Sequence, residues 1–88
     1  MKPNIEMRIE TAAMDALMVR LFDTIDEANM AWVIGADQAL RNAFGPALID
    51  LVPSYTTLLV HYDCQQLNHA GALTLINQAL SGLKPVDT

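Results

Sequence analysis

The sequence predicts an α+β fold: a two-layer sandwich of order β-β-α-β-β-α, with a four-stranded, mainly antiparallel sheet and two helices on one face. Three observations lead there. Residues Ile5 to Glu10 alternate apolar and charged side chains without a break, the period of a half-buried strand. The run from Thr57 to Tyr62 is β-branched, apolar or aromatic, with no Gly or Pro until Gly71, as a paired strand requires. Each pair of strand-like runs is followed by a longer segment with apolar residues at helical spacing. The chain therefore divides into two β-β-α halves of similar length, although their sequences do not match.

Taken in order, Ile5, Met7 and Ile9 face one side of the first strand and Glu6, Arg8 and Glu10 the other. Thr11 to Asp15 is expected to bend. Ala16-Leu-Met-Val-Arg-Leu-Phe22 follows as a second strand, with Leu17, Val19 and Leu21 inward and Ala16, Met18 and Arg20 outward. The short connection makes these two strands antiparallel neighbours.

Thr24 with Glu27 three residues on has capping-box spacing, and Asp26 adds charge that a helix N-terminus favours. The predicted helix runs to Phe44 and is stopped by Gly45-Pro46. Its core stripe is Ile25, Asn29, Trp32/Val33, Ala36, Leu40 and Phe44. Met30 and Ile34 lie four apart on a different side, towards Asp37 and Arg41, as a candidate contact point. Gly35 inside the helix costs about 1 kcal/mol relative to Ala, which close packing against another backbone would justify.

Ala47 to Val52 is the third strand and Thr57 to Tyr62 the fourth. Pro53 lacks an amide donor and belongs at a corner or strand edge, so Val52-Pro-Ser-Tyr reads as the turn between them. Asp63 to Leu67 leads into a second helix capped by Asn68 and ending near Gly82, with Leu73, Ile76, Ala79/Leu80 and Leu83 buried. Lys84 to Thr88 reads as a tail.

Composition narrows the function. Eighty-eight residues form one domain, of a size that buries only about two thirds of the unfolded chain's surface. Yet 52% of the residues are hydrophobic and 17% charged, more apolar than a small isolated domain needs. The excess points to apolar surface kept for a partner. A net charge of −5 with five Lys plus Arg leaves no basic stripe for nucleic acid and opposes binding to an anionic membrane. One cysteine, Cys64, excludes an internal disulfide and supplies no zinc pattern. It fits a turn after the fourth strand. No apolar run reaches the ~18 residues of a membrane span, and the first residues lack a signal peptide's apolar core. A cytoplasmic location is expected.

No residues form a catalytic constellation. His61 and Tyr62 are adjacent on a strand and point to opposite faces. His61 and Asp63 share a face, a common arrangement without function, and His69 reads as a solvated first-turn residue. The acidic residues read as surface and capping groups, with no sign of a raised pKa. The glycines at 35, 45, 71 and 82 are isolated, so no phosphate loop exists. Catalytic, cofactor and metal residues are therefore expected to be none. What remains is a mixed open sheet face with Met18, Arg20, Leu59 and His61, and the Met30/Ile34 pair. These six are the predicted interface residues, and self-association into a homo-oligomer through the open face is a further expectation.

The wording of one stretch is distinctive. Val52-Pro-Ser-Tyr-Thr-Thr-Leu-Leu-Val-His-Tyr-Asp63 closely resembles Val-Pro-Ala-Tyr-Arg-Ser-Leu-Leu-Val-His-Tyr-Asp of the family that unites allophanate hydrolase subunit 1, KipI and the corresponding 5-oxoprolinase subunit (carboxyltransferase subdomain C/D). Upstream, Asp15-Ala-Leu-Met-Val-Arg-Leu21 is similar to that family's Gly-Asp-x-Ala-Leu-Leu-Val-Glu-Phe strand. Ala13 and Met14 stand where the family has Gly-Asp, Phe22 where it usually has Gly, and Thr56 where it often has Arg.

The resemblance implies a DCoH-like sandwich equivalent to the family's N-terminal domain, without the cyclophilin-like second domain that usually follows. It also implies a subunit that pairs with a sister protein of allophanate hydrolase subunit 2 type in ATP-dependent 5-oxoproline cleavage. The alternative is a KipI-like module that binds a sensor histidine kinase and blocks its autophosphorylation. No catalytic residue transfers, since the shared motif is a strand and a corner.

Overall fold

Alternation in the second and fourth strands decides the architecture. In the computed structural model, which describes residues 7–83, the elements are β1 (Arg8–Ala13), β2 (Ala16–Arg20), α1 (Asn29–Phe44), β3 (Leu48–Pro53), β4 (Thr57–Tyr62) and α2 (His69–Leu80). The strands form one sheet of order β1-β2-β4-β3, and every neighbouring pair is antiparallel. The second strand of each half thus takes a central place, and β2 pairs with β4 across the junction of the halves. Leu17 and Val19 of β2, and Leu58, Val60 and Tyr62 of β4, are fully buried. They face Val33, Ala36, Leu40 and Phe44 of α1 and Ala72, Ile76 and Leu80 of α2 in a single core. The two-layer α+β sandwich with both helices on one face follows as expected.

β4 has the predicted bounds, and β2 ends two residues early, although Leu21 and Phe22 stay buried. The amides of both bond to the Thr56 carbonyl, at 2.8 and 3.3 Å. The first strand differs more. Instead of bending at Thr11 it continues to Ala13, pairing Thr11 with Leu17 and Ala13 with Ala16. Met14 and Asp15 alone make the turn. A two-residue hairpin loop favours positive φ, yet no non-glycine residue here adopts it. The register shift between Thr11 and Ala13 absorbs the mismatch, as a bulge increases local twist. Ile5 and Glu6, the start of the predicted strand, and the tail from Lys84 lie outside the described residues.

The expected capping box does not form, because α1 begins at Asn29 rather than near Thr24. Competing local bonds explain the delay. The Asp26 side chain accepts from the Ala28 amide at 3.0 Å, and the Asp26 carbonyl accepts from the Asn29 amide at 3.0 Å. The Asn29 side-chain amide, buried at 4% exposure, donates to the Thr24 carbonyl at 2.8 Å. Residues 24 to 28 are thus fastened as a turn, as short polar side chains often do. Ile25 consequently leaves the core stripe and is 78% exposed. Trp32 is half-buried against the core, while Val33, Ala36, Leu40 and Phe44 fill it. Gly45 ends the helix at φ 53°, a conformation that costs glycine little, and Pro46 lies in the 3-10 turn Gly45–Ala47.

Pro53 is the last residue of β3 and not a free corner. β3 is an edge strand, where a missing amide donor is tolerated. Ser54 closes the short loop: its amide donates to the Thr57 carbonyl at 2.8 Å, and the two hydroxyls are 2.8 Å apart. Asn68 caps α2 as expected, its side chain accepting from the Gly71 amide at 2.7 Å.

Candidate functional site

The sheet face opposite the helices carries four of the six predicted interface residues, arranged in rows across the strands. Met18 is paired with Leu59, and Leu59 with Val52. This central row is apolar across β2, β4 and β3, and Glu10 continues it onto β1. Val52 is 51% exposed, and Met18 and Leu59 are half-buried. On one side lies a basic row, in which Arg8 pairs with Arg20 and Arg20 with Thr57. Like charges directly opposite each other repel. Arg8 is relieved by an ion pair with Asp23, whereas Arg20 has no carboxylate partner among the described residues.

On the other side Ala16 pairs with His61 and His61 with Asp50. The His61 ring meets the Asp15 carboxylate, 2.8 Å from Nε2 to Oδ2. The acid beside His61 is therefore Asp15, from the β1–β2 turn, and not Asp63. Asp63 points its carboxylate into the following turn, accepting from the Gln65 amide at 3.0 Å and the Gln66 side chain at 2.9 Å. The Gln66 bond, then the Gln65 bond, hold the Asp63 carboxyl below its usual pKa. Asp50 accepts from the Leu51 amide, and with two carboxylates, Asp15 and Asp50, to one imidazole the row is acidic.

The sequence expectation that Met18, Arg20, Leu59 and His61 share one face agrees with the register, but it did not include Asp15, Asp50 and Val52 on that face. Asp50 and Val52 are two apart on β3 and so share a side, and the β3–β4 register sets them beside His61 and Leu59. Met30 and Ile34 lie on α1, away from this face, and both are half-buried. Asp37 and Arg41 pair beside them at 3.1 Å, and Arg41 also reaches the Leu51 carbonyl at 3.4 Å.

Nothing in the described residues adds up to a catalytic centre. Tyr62 is fully buried, with its hydroxyl donating to the Met14 carbonyl at 3.3 Å. Burial raises its pKa, and charge on Cys64 and Asp15 adds to the effect. Cys64 is exposed in the turn after β4. His69 is exposed and meets the Thr11 hydroxyl at 3.1 Å. Among the described residues no group of three His, Cys, Asp or Glu could hold a metal. A cleft of about 240 Å³ on the helix side is lined by Met7, Leu21, Trp32, Leu80, Ser81 and Leu83. Among the described residues that line it none is titratable, so these supply neither acid nor base. No described helix is long and apolar enough to cross a membrane.

Comparison with known proteins agrees with this geometry. The chain is similar in structure to the N-terminal domain of the histidine kinase inhibitor KipI from Bacillus subtilis, with a TM-score of 0.71. The match covers 88% of this chain and 86% of that one at 21% sequence identity, which establishes the shared fold. No curated protein matches the sequence. The family described as "Carboxyltransferase domain, subdomain C and D" matches residues 7–87, nearly the whole chain. By that match, the chain belongs to the carboxyltransferase-domain family, subdomain C and D.

Proposed function

We propose that this domain is a protein-interaction module of a subunit-1-like protein. Its role is to supply contact surface to an ATP-dependent amidohydrolase complex in the cytoplasm, with a sister subunit of allophanate hydrolase subunit 2 type. The observation that carries the reading is the apolar row Met18–Leu59–Val52, on the sheet face that both helices leave bare. Small domains seldom leave apolar side chains aligned across three strands without a partner. The charged rows that flank it match the polar rim of an interface. Membership of a carboxyltransferase-domain family supports an enzyme assembly as the setting, with the chemistry residing in the sister subunit.

A second reading has its own support. The fold neighbour is named as part of a histidine kinase inhibitor, so a KipI-like module acting on a sensor histidine kinase is the alternative. The two separate in one experiment. The chain is mixed with the subunit-2-type protein of its own organism, and complex formation and 5-oxoproline-dependent ATP turnover are measured. Autophosphorylation of the organism's sensor kinases is followed in parallel. The proposal expects a complex that Leu59→Asp weakens and no effect on any kinase. Kinase inhibition without complex formation would put the second reading first, and neither effect would sink both.

A further inference from the structure

The order of charges on the open face allows its occupant to be named. Along the strand direction the face runs from basic (Arg8, Arg20) through apolar (Met18, Leu59, Val52) to acidic (Asp15, Asp50). Met18 is two residues from Arg20 and two from Ala16, and Leu59 is two from Thr57 and two from His61. The apolar row therefore lies midway between the charged rows, each about 6–7 Å away at strand rise. We infer that the face binds a second copy of this chain, sheet against sheet, with the two-fold axis across the strands at the Met18–Leu59 row.

A symmetric face-to-face pair has two principal arrangements. A two-fold axis along the strands sets each row against itself, so that Arg20 meets Arg20 and Asp15 meets Asp15. An axis across the strands reverses one sheet relative to the other. Leu59 and Met18 then meet their own counterparts, while the basic row of each copy faces the acidic row of the other. Arg20, which lacks a carboxylate of its own among the described residues, gains Asp15 of the second copy. Asp15 lies near the correct strand for this, because the turn that holds it follows β1 and leads into β2. Glu10, exposed at the β1 end of the apolar row, falls at the rim, where a like charge is solvated. The aligned packing angle of about −30° between stacked sheets separates the edges further.

The inference rests on the reading of the sheet face as an interaction surface and gives that face a second occupant. Because the sister subunit is proposed to dock on the same apolar row, the self-dimer and that complex exclude one another. Sedimentation equilibrium of the 88-residue chain at low salt tests it, with circular dichroism to confirm that each variant is folded. The expected result is a dimer that Leu59→Asp converts to monomer. Arg20→Asp and Asp15→Lys should each raise the dimer dissociation constant about tenfold or more, as facing like charges do. The double variant should recover most of that loss.

Tighter dimerisation by Arg20→Ala would show the other axis and overturn the arrangement. A wild-type chain that is monomeric at millimolar concentration would overturn the dimer itself. If Leu59→Asp then still weakened binding to the sister subunit, the proposed function would stand without the dimer. If it weakened nothing, the sheet face would be no interface at all.

Discussion

His61 and Asp15 are 46 residues apart in sequence, yet the imidazole Nε2 and a carboxylate oxygen lie 2.8 Å apart. The contact ties the middle of the sheet to the β1–β2 turn. Both side chains remain more than a third exposed, at 38% and 37%. Water and salt therefore screen the pair, and exposed pairs contribute roughly 0–1 kcal/mol.

Asp15→Asn should accordingly lower stability by less than about 1 kcal/mol, measured by urea denaturation. A much larger loss would mean that the turn depends on the Asp15 carboxylate for its shape. Dimerisation, in contrast, should respond to a charge change at this position, which separates folding from assembly.

The two helix starts give an internal comparison. Asn68→Ala removes the side-chain acceptor for the Gly71 amide and should cost about 1 kcal/mol. Thr24→Ala and Glu27→Ala should each stay within about 0.5 kcal/mol, the usual range for surface changes. Both lie ahead of the first turn of α1 and make no cap. A loss at Thr24 equal to that at Asn68 would show that the helix begins earlier in solution.

Tyr62 sets a limit at alkaline pH. Burial, reinforced by Cys64 and Asp15, raises its pKa above 10.0, so the fold favours the neutral phenol. That contribution is complete below the unfolded pKa and is lost as pH rises through the folded value. The urea midpoint should therefore fall above about pH 10. Tyr62→Phe should flatten part of that fall, and at neutral pH should cost about 1 kcal/mol for the lost bond to the Met14 carbonyl. An unchanged alkaline slope in the variant would assign the effect to other groups.

Asp63 acts at the other end of the scale. Its folded pKa is depressed below 3.8, first by the Gln66 side chain and then by the Gln65 amide. Its contribution is present above the unfolded pKa and is lost as pH falls through the folded one. A carboxyl chemical-shift titration should place the Asp63 midpoint below 3.8, and Gln66→Ala should move it upward. A midpoint that ignores the substitution would show that the Gln66 bond is not kept in solution.

The residues themselves determined a good deal of this protein. Alternation placed Leu17, Val19, Leu21, Leu58, Val60 and Tyr62 in the core, because a strand's two faces follow directly from its period. Phe22, past the end of β2, enters the core against that parity. The Asn68 cap and the Gly45 stop were equally legible, since their bonds and angles are set within a few residues. The family, too, could be read from the stretch around Val52 to Asp63, and the match over residues 7–87 bears it out. Tertiary structure decided the rest. The strand order β1-β2-β4-β3 brings Met18 beside Leu59 and Asp50 beside His61, and no local preference encodes pairings between separate halves. Where α1 begins depended on Asn29 being buried with a bond to the Thr24 carbonyl, which outcompeted a capping box of correct spacing. The polarity of the open face, basic to acidic across an apolar row, exists only once the register is set. Charge along a chain has an order, but only packing gives it a direction in space.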